Sequence, residues 1–123
     1  MKPLYAIATL ALIGAVALGQ GYGTNAVTRT EAIALASSLW HGQSEADVTK
    51  YLSAHGLTNS LALGALTSWR RDYGLVDGSS LSLDYKNSPM ATNWGLGSGL
   101  LQKARIVSKD DVTIAPITLT NAP

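Results

Sequence analysis

The sequence predicts an α+β fold in which two N-terminal helices pack on one face of a three-stranded, possibly four-stranded, antiparallel meander. Three observations lead to this fold class. Two helix-capping patterns each precede apolar residues at helical spacing, the apolar period then changes to two, and an Asp-Gly pair separates two alternating segments.

The first 19 residues have the pattern of a secretory signal peptide. Lys2 is their only charge, and residues 4–18 form an uncharged, almost wholly apolar run of the length that such signals use. Ala17-Leu18-Gly19 satisfies the small-x-small cleavage rule, and Ala15-Val16-Ala17 is a second option. We therefore expect a periplasmic or secreted protein that starts at Gln20 and keeps no membrane anchor; an uncleaved leader that acts as an anchor is the alternative.

Composition excludes several classes of function. The chain has nine Lys and Arg and eight Asp and Glu, and removal of Lys2 with the leader leaves 8 − 8 = 0. A neutral chain lacks the electrostatic footprint of a nucleic-acid-binding protein, so no such partner is expected. The absence of Cys excludes disulfides, thiolate metal sites, cysteine nucleophiles and a lipid anchor on cysteine.

The remaining chain is long enough for one domain with one core. Residues 20–27 are Gly-rich and polar, which indicates a flexible leading segment. Residues 28–108 are expected to hold the two helices and the meander. Residues 109–123 are expected to form an extended tail or an edge strand, because Pro116 has no N–H for a central ladder.

Both helices are predicted from their ends. Thr28-Arg29-Thr30-Glu31 is a capping-box pattern, and it predicts a helix that stops near His41, where Gly42 suits a left-handed position. Ser44-Glu45-Ala46-Asp47 repeats the capping pattern before a second helix that stops at Gly56.

A hairpin is predicted from the two alternating segments that follow. A three-residue loop, Val76-Asp77-Gly78, separates apolar from polar side chains, whereas a two-residue loop mixes them. The resulting opposite residues are Trp69 with Tyr85, Tyr73 with Leu81, and Arg70 with Asp84, the last an opposite-charge pair. Arg71 is left at the rim of the apolar face, and residues 100–108 are expected to add a third strand.

The segment Gly42-Gln43-Ser44-Glu45-Ala46-Asp47-Val48, followed by Tyr51-Leu52 and Gly56, resembles the helix-turn-helix opening of SmpA/OmlA (BamE)-like small outer-membrane proteins. It also resembles the repeat unit of β-lactamase inhibitor protein. The resemblance extends over about Ala32 to Ile106, but this chain lacks the cysteine that carries the lipid in that family. What the resemblance implies is an exported, non-enzymatic domain that binds another protein.

Residues that bear chemistry form no recognisable catalytic or metal-binding pattern. His41 and His55 are the only histidines, and neither has further ligands at metal-binding spacing, so no metal or other cofactor is expected. Gly97-Ser98-Gly99 is too short for the nucleophile elbow of a serine hydrolase. An enzyme is therefore the least favoured interpretation.

The favoured function is protein–protein interaction with a partner that the sequence does not identify. Trp94 stands in a Gly-rich loop without periodic context, as an interface anchor often does. The contact candidates are Trp94, Arg70, Arg71 and Tyr85. The alternative is a small-ligand or carbohydrate-binding domain in which Trp94, with Tyr85 or Tyr22, supplies the aromatic platform.

Overall fold

The computed structural model of the protein describes residues 24–65, 67–87 and 98–123. The two helices are α1 (Arg29–Ala36) and α2 (Glu45–Ala54). The strands are β1 (Leu61–Gly64), β2 (Ser68–Gly74), β3 (Ser80–Asn87), β4 (Gly99–Val107) and β5 (Thr113–Ile117). They form one antiparallel sheet in which each strand lies beside its neighbours in the sequence.

The predicted leader lies outside the described residues. Within the described ranges, none of the helices has the length and apolar character that crossing a membrane requires.

The predicted fold class was wrong. The sheet has five strands rather than three or four, it makes up most of the secondary structure, and the helices lie at residues 29–54 rather than at the start of the chain. The unexpected strand is β1, whose four residues are too few to establish a period of two. Its last residue, Gly64, has no side chain that could extend such a pattern. β5 adopts the edge-strand alternative that was left open for the C-terminal segment.

The capping box of α1 is confirmed. Thr28 Oγ1 accepts from the Glu31 N–H at 3.1 Å, and the Glu31 carboxylate accepts from the Thr28 N–H at 2.9 Å. The helix ends at Ala36, well before the predicted His41. Ser37 Oγ donates to the Ile33 carbonyl at 2.7 Å, and serine side chains that bond to the backbone in this way compete with helix continuation.

The ends of α2 are also confirmed. Ser44 Oγ accepts from the Asp47 N–H at 3.2 Å, which caps the first turn. At the other end Gly56 has a φ of 95°, and the Leu57 N–H donates to the Leu52 carbonyl at 2.9 Å. Leu57 is buried, so the chain leaves the helix directly into the core.

The register of the β2–β3 hairpin is confirmed. Trp69 lies opposite Tyr85 and Tyr73 opposite Leu81. The Leu75 N–H donates to the Ser79 carbonyl at 2.8 Å, which leaves residues 76–78 as the three-residue loop. Gly78 has a φ of 88°, a left-handed position that glycine adopts without strain.

Arg70 lies opposite Asp84, as predicted for this hairpin, but the described residues show no ion pair between the two side chains. Arg70 instead contacts Asp72 at 2.9 Å and Asp111 at 2.8 Å. Asp111 belongs to the β4–β5 turn, a segment remote in sequence, so hairpin register alone did not reveal this contact. Among the described residues, Asp84 makes no ion pair.

The core lies between the helices and one face of the sheet, which we term the inner face. The helices pack on β3 and β4 at its centre. The buried inner-face residues are Trp69, Tyr73, Leu81, Leu83, Tyr85, Leu101, Ala104 and Ile106. The opposite, outer face carries most of the charged side chains of the sheet, including Arg70, Asp72 and Lys103.

Residues 24–27, which belong to the leading segment expected to be flexible, are packed into the fold. Thr24 pairs with Gly74 at the end of β2, and Asn25 and Val27 are each 5% exposed. The expected domain start at residue 28 therefore leaves out part of the folded unit. The polar composition of this segment did not indicate that Asn25 is buried and that both its side-chain nitrogen and its side-chain oxygen form hydrogen bonds.

Candidate functional site

The structure does not bring the four contact candidates together. Trp94 lies outside the described residues, as does Tyr22. Arg70 lies on the outer face of β2, whereas Arg71 and Tyr85 belong to the inner face. A partner that contacts Arg70 on the outer face therefore does not meet Arg71 or Tyr85 there.

The centre of the inner face holds a buried carboxylate. Glu45, the first residue of α2, is 1% exposed. Its Oε1 accepts from Trp69 Nε1 at 3.2 Å and from the Gly99 N–H at 3.3 Å. One side chain thereby connects α2 to β2 and to the start of β4.

The second oxygen of Glu45 pairs with Arg71. Oε2 accepts from Arg71 Nε at 3.3 Å and from Nη2 at 3.2 Å, and Arg71 Nη1 donates to Ser60 Oγ at 2.9 Å. The guanidinium is thus engaged by a buried anion and by the segment that enters β1. We term Glu45, Trp69, Arg71 and Ser60 the Glu45 cluster.

The Glu45 cluster is a structural centre rather than an open site, because its charged groups are directed at one another. The position of Arg71 on an apolar face indicated that an anion lies nearby, because a buried charge requires a partner, but it did not identify that anion. Glu45 was interpreted only as part of the capping pattern before the second helix. Nothing local in the sequence indicates that these two residues meet.

Tyr85 lies in the core. Its side chain is 1% exposed, and its ring stacks on that of Trp69 with 6.5 Å between the ring centroids. Burial raises the pKa of its phenol far above the ordinary value. Tyr85 is therefore inaccessible, both as a stacking platform for a sugar and as part of an exposed contact surface.

Replacing Tyr85 by Phe is expected to reduce the loss of stability at alkaline pH. Because the pKa of Tyr85 is raised in the folded protein, the unfolded chain loses this proton first, and stability falls as pH rises above about 10. Removing the phenol should lessen that fall by up to about 1.4 kcal/mol per pH unit. Urea denaturation of both proteins between neutral and alkaline pH measures the difference.

The same variant should keep its stability at neutral pH to within about 1 kcal/mol, because the buried Tyr85 hydroxyl has no hydrogen-bond partner among the described residues. Tyr51→Phe, on the half-buried face of α2, is the matched control. Identical alkaline slopes for wild type and Tyr85→Phe would contradict the argument.

A shallow groove of about 610 Å³ lies on the side of the sheet formed by β4 and β5. Its charged lining consists of Asp84, Lys103 and Arg105, with His41 at 3.2 Å from the Gln102 side chain. Its lining includes no Trp or Tyr among the described residues. The groove therefore lacks the aromatic platform that the carbohydrate alternative requires.

The free edge of β1 is the most distinctive feature of the surface. Within the described part of the chain, β1 pairs only with β2, so its other edge has no strand beside it. The Ala65 N–H donates to the Ser68 carbonyl at 2.9 Å in the same register as β1 and β2. In an antiparallel ladder, alternate residues bond to the same neighbour. The backbone groups of Leu61 and Leu63 therefore face β2, whereas those of Ala62 and Gly64 face the free edge.

The side chains of β1 follow the same alternation. Gly64 and Ala62 share the inner face with Trp69 and Arg71, their register partners. Leu61 and Leu63 project on the outer face and are 42% and 43% exposed. β1 thus presents free backbone groups beside two exposed leucines.

Comparisons with protein-family models, with curated proteins and with solved structures find no match to this chain. Among the described residues there is also no group of three or more His, Asp or Glu side chains placed to hold a metal ion.

Proposed function

We propose that this protein is an exported, non-enzymatic interaction module that binds an extended segment of another polypeptide along the free edge of β1. The exposed, unpaired edge of a strand with two exposed leucines is the observation that carries the proposal. Edge strands are templates for pairing with a further chain, and natural proteins usually protect them with charges, proline or bulges. β1, with the sequence Leu-Ala-Leu-Gly, has no charge and no proline.

The opposite edge of the sheet supports the proposal by contrast. β5 contains Pro116, and the pairing of β4 with β5 shifts register between Ile106 and Val107. The Ser108 N–H donates to the Val112 carbonyl, so the even-numbered residues of β4 beside β5 direct their backbone groups at β5. Pro116 lies opposite the odd-numbered Arg105, and its backbone nitrogen therefore faces solvent. Proline has no N–H to offer a neighbour there. One edge is therefore protected against pairing and the other is open.

The binding mode that fits β1 is strand addition. In this mode the backbone of the added segment supplies hydrogen bonds, and pockets for alternate side chains supply specificity. The backbone groups of Ala62 and Gly64 would bond to the added strand, and its apolar side chains would lie against Leu61 and Leu63 on the outer face. Trp94, which the structure does not describe, stays a predicted further contact.

The expected result of charging this edge is loss of partner capture. Immobilised wild-type protein should recover a partner from the exported fraction of the cell, and Leu61→Lys/Leu63→Lys should recover at least about tenfold less, because lysine on an edge strand opposes pairing. Quantitative mass spectrometry of the recovered proteins measures the difference.

Val112→Lys/Ile114→Lys is the matched control, because both residues are exposed and lie in or beside the protected strand β5. Circular dichroism and urea denaturation verify that both double variants fold. Equal capture by the β1 variant and the wild type would refute the proposed surface.

A further inference from the structure

We infer that the segment bound by β1 is β1 of a second copy of this chain, paired antiparallel about a two-fold axis at Ala62. The inference rests on the proposed function, because it uses the same edge and names the partner. It gives a continuous ten-stranded sheet across two copies, each of which contributes five strands.

The alternation of β1 limits the register of such a pair. Ala62 and Gly64 direct their backbone groups at the free edge, and a pair centred on Ala62 of both copies is the symmetric hydrogen-bonded register that also sets the leucines of the two copies opposite one another. Leu61 of each copy then lies opposite Leu63 of the other copy, so the pair contains two equivalent Leu61–Leu63 contacts. Directly opposite residues share a face, so all four leucines meet on the outer face and bury their exposed area against one another.

Charge and size are compatible with this arrangement. The chain without its leader has eight basic and eight acidic residues, so two copies do not repel through net charge. On the outer face, Asp72 is the register partner of Leu61, and Arg70 is the register partner of Leu63. Each Leu61–Leu63 contact between the copies is therefore flanked by Asp72 of one copy and by Arg70 of the other. The inner-face residues at the junction, Ala62 and Gly64, are small.

The helices leave space for a second copy. They pack on β3 and β4, the strands farther from the junction, and the two helix layers would lie on the same side of the joined sheet. The contact is short, since β1 has four residues. Stable interfaces bury about 1,200–2,000 Å², more than an edge of this length provides, so the dimer should be weak and dependent on concentration.

Sedimentation velocity of the wild-type protein from micromolar to millimolar concentration tests the association. The expected result is a shift from monomer to dimer that Leu63→Lys abolishes and that Ile114→Lys, on the protected edge, leaves unchanged. A wild-type protein that stays monomeric at millimolar concentration, or a dimer that Leu63→Lys does not weaken, would overturn the inference.

Cysteine cross-linking tests the register, because the natural chain has no cysteine. Opposite residues in a pair without backbone hydrogen bonds have Cα atoms about 4.5 Å apart, within the range that a disulfide spans. A mixture of Leu61→Cys and Leu63→Cys should therefore form a disulfide-linked dimer at least about tenfold faster than either variant alone. Val112→Cys, exposed and remote from β1, gives the rate of random collision.

The outcomes separate this inference from the proposed function. Mixed cross-linking no faster than that of the single variants overturns the self-pairing. If cross-linking appears only after residues 20–23 are deleted, the leading segment of the chain occupies the edge and the inference is also overturned. If the protein stays monomeric but Leu61→Lys/Leu63→Lys still loses a captured protein, self-pairing is wrong and the proposed function stands.

Discussion

Replacing Glu45 by Gln is expected to lower the free energy of unfolding by about 3–5 kcal/mol. The substitution keeps the shape of the side chain but removes the carboxylate charge that pairs with the Arg71 guanidinium. An arginine left without its anion in a largely buried position costs much more than the loss of an exposed ion pair. Urea denaturation of the purified protein, followed by circular dichroism and tryptophan fluorescence, measures the change.

Asp47→Asn is the matched control for Glu45→Gln. Asp47 is the other carboxylate in the first turn of α2, but it is exposed, so its replacement removes a helix-dipole interaction of about 0.3–1 kcal/mol. Arg71→Gln and the double variant complete a cycle that isolates the coupling between Glu45 and Arg71. A loss for Glu45→Gln no larger than that for Asp47→Asn would show that the buried ion pair contributes little.

Local signals in the sequence predicted local structure correctly. The caps at Thr28 and Ser44 join groups three residues apart, and the hairpin register depends on a loop of three residues. Such features are determined by the backbone geometry of a few neighbouring residues. Their sequence patterns therefore contain nearly all the information that they need.

Contacts between distant segments could not be predicted in the same way. Arg70 has Asp84 as its cross-strand neighbour, yet it bonds to Asp111 of a turn that follows two further strands. Arg71 was expected at the rim of the apolar face, and its partner Glu45 lies in a different element. Partner choice in both cases depends on how the elements pack, which no pattern within one element encodes.

The structure also explains how an unprotected edge is kept in an ordered conformation. Ser60, immediately before β1, accepts a hydrogen bond from Arg71, and Asn59 is held by the buried Asn25. The start of β1 is therefore fixed to the Glu45 cluster and to the leading segment. A strand that is already ordered loses less conformational entropy when a further strand adds to it, which favours binding.

Replacing Asn25 by Asp is expected to lower the free energy of unfolding by about 2–4 kcal/mol at neutral pH. Asn25 Nδ2 donates to the carbonyls of Asn59 at 2.8 Å and Gly74 at 3.0 Å, and its Oδ1 accepts from the N–H groups of Thr58 at 3.0 Å and Asn59 at 2.8 Å. Aspartate keeps the oxygen that accepts from the two N–H groups, but it replaces the donating Nδ2 by a second oxygen that faces the two carbonyl oxygens. Residue 25 is 5% exposed in the wild type, so water does not relieve this repulsion.

The pH dependence of the Asn25→Asp variant distinguishes this cause from general disruption of the fold. Repulsion from the two carbonyls and burial both favour the protonated acid, so its pKa should be higher in the folded variant than the usual value of about 3.9 in the unfolded chain. The unfolded chain then ionises first, and the penalty should grow as pH rises above about 4. Asn59→Asp, an exposed neighbour that donates one bond to the Thr24 carbonyl, should cost less than about 1 kcal/mol. A penalty for Asn25→Asp that does not change between pH 4 and 7 would mean that lost packing, rather than the missing donor, causes the effect.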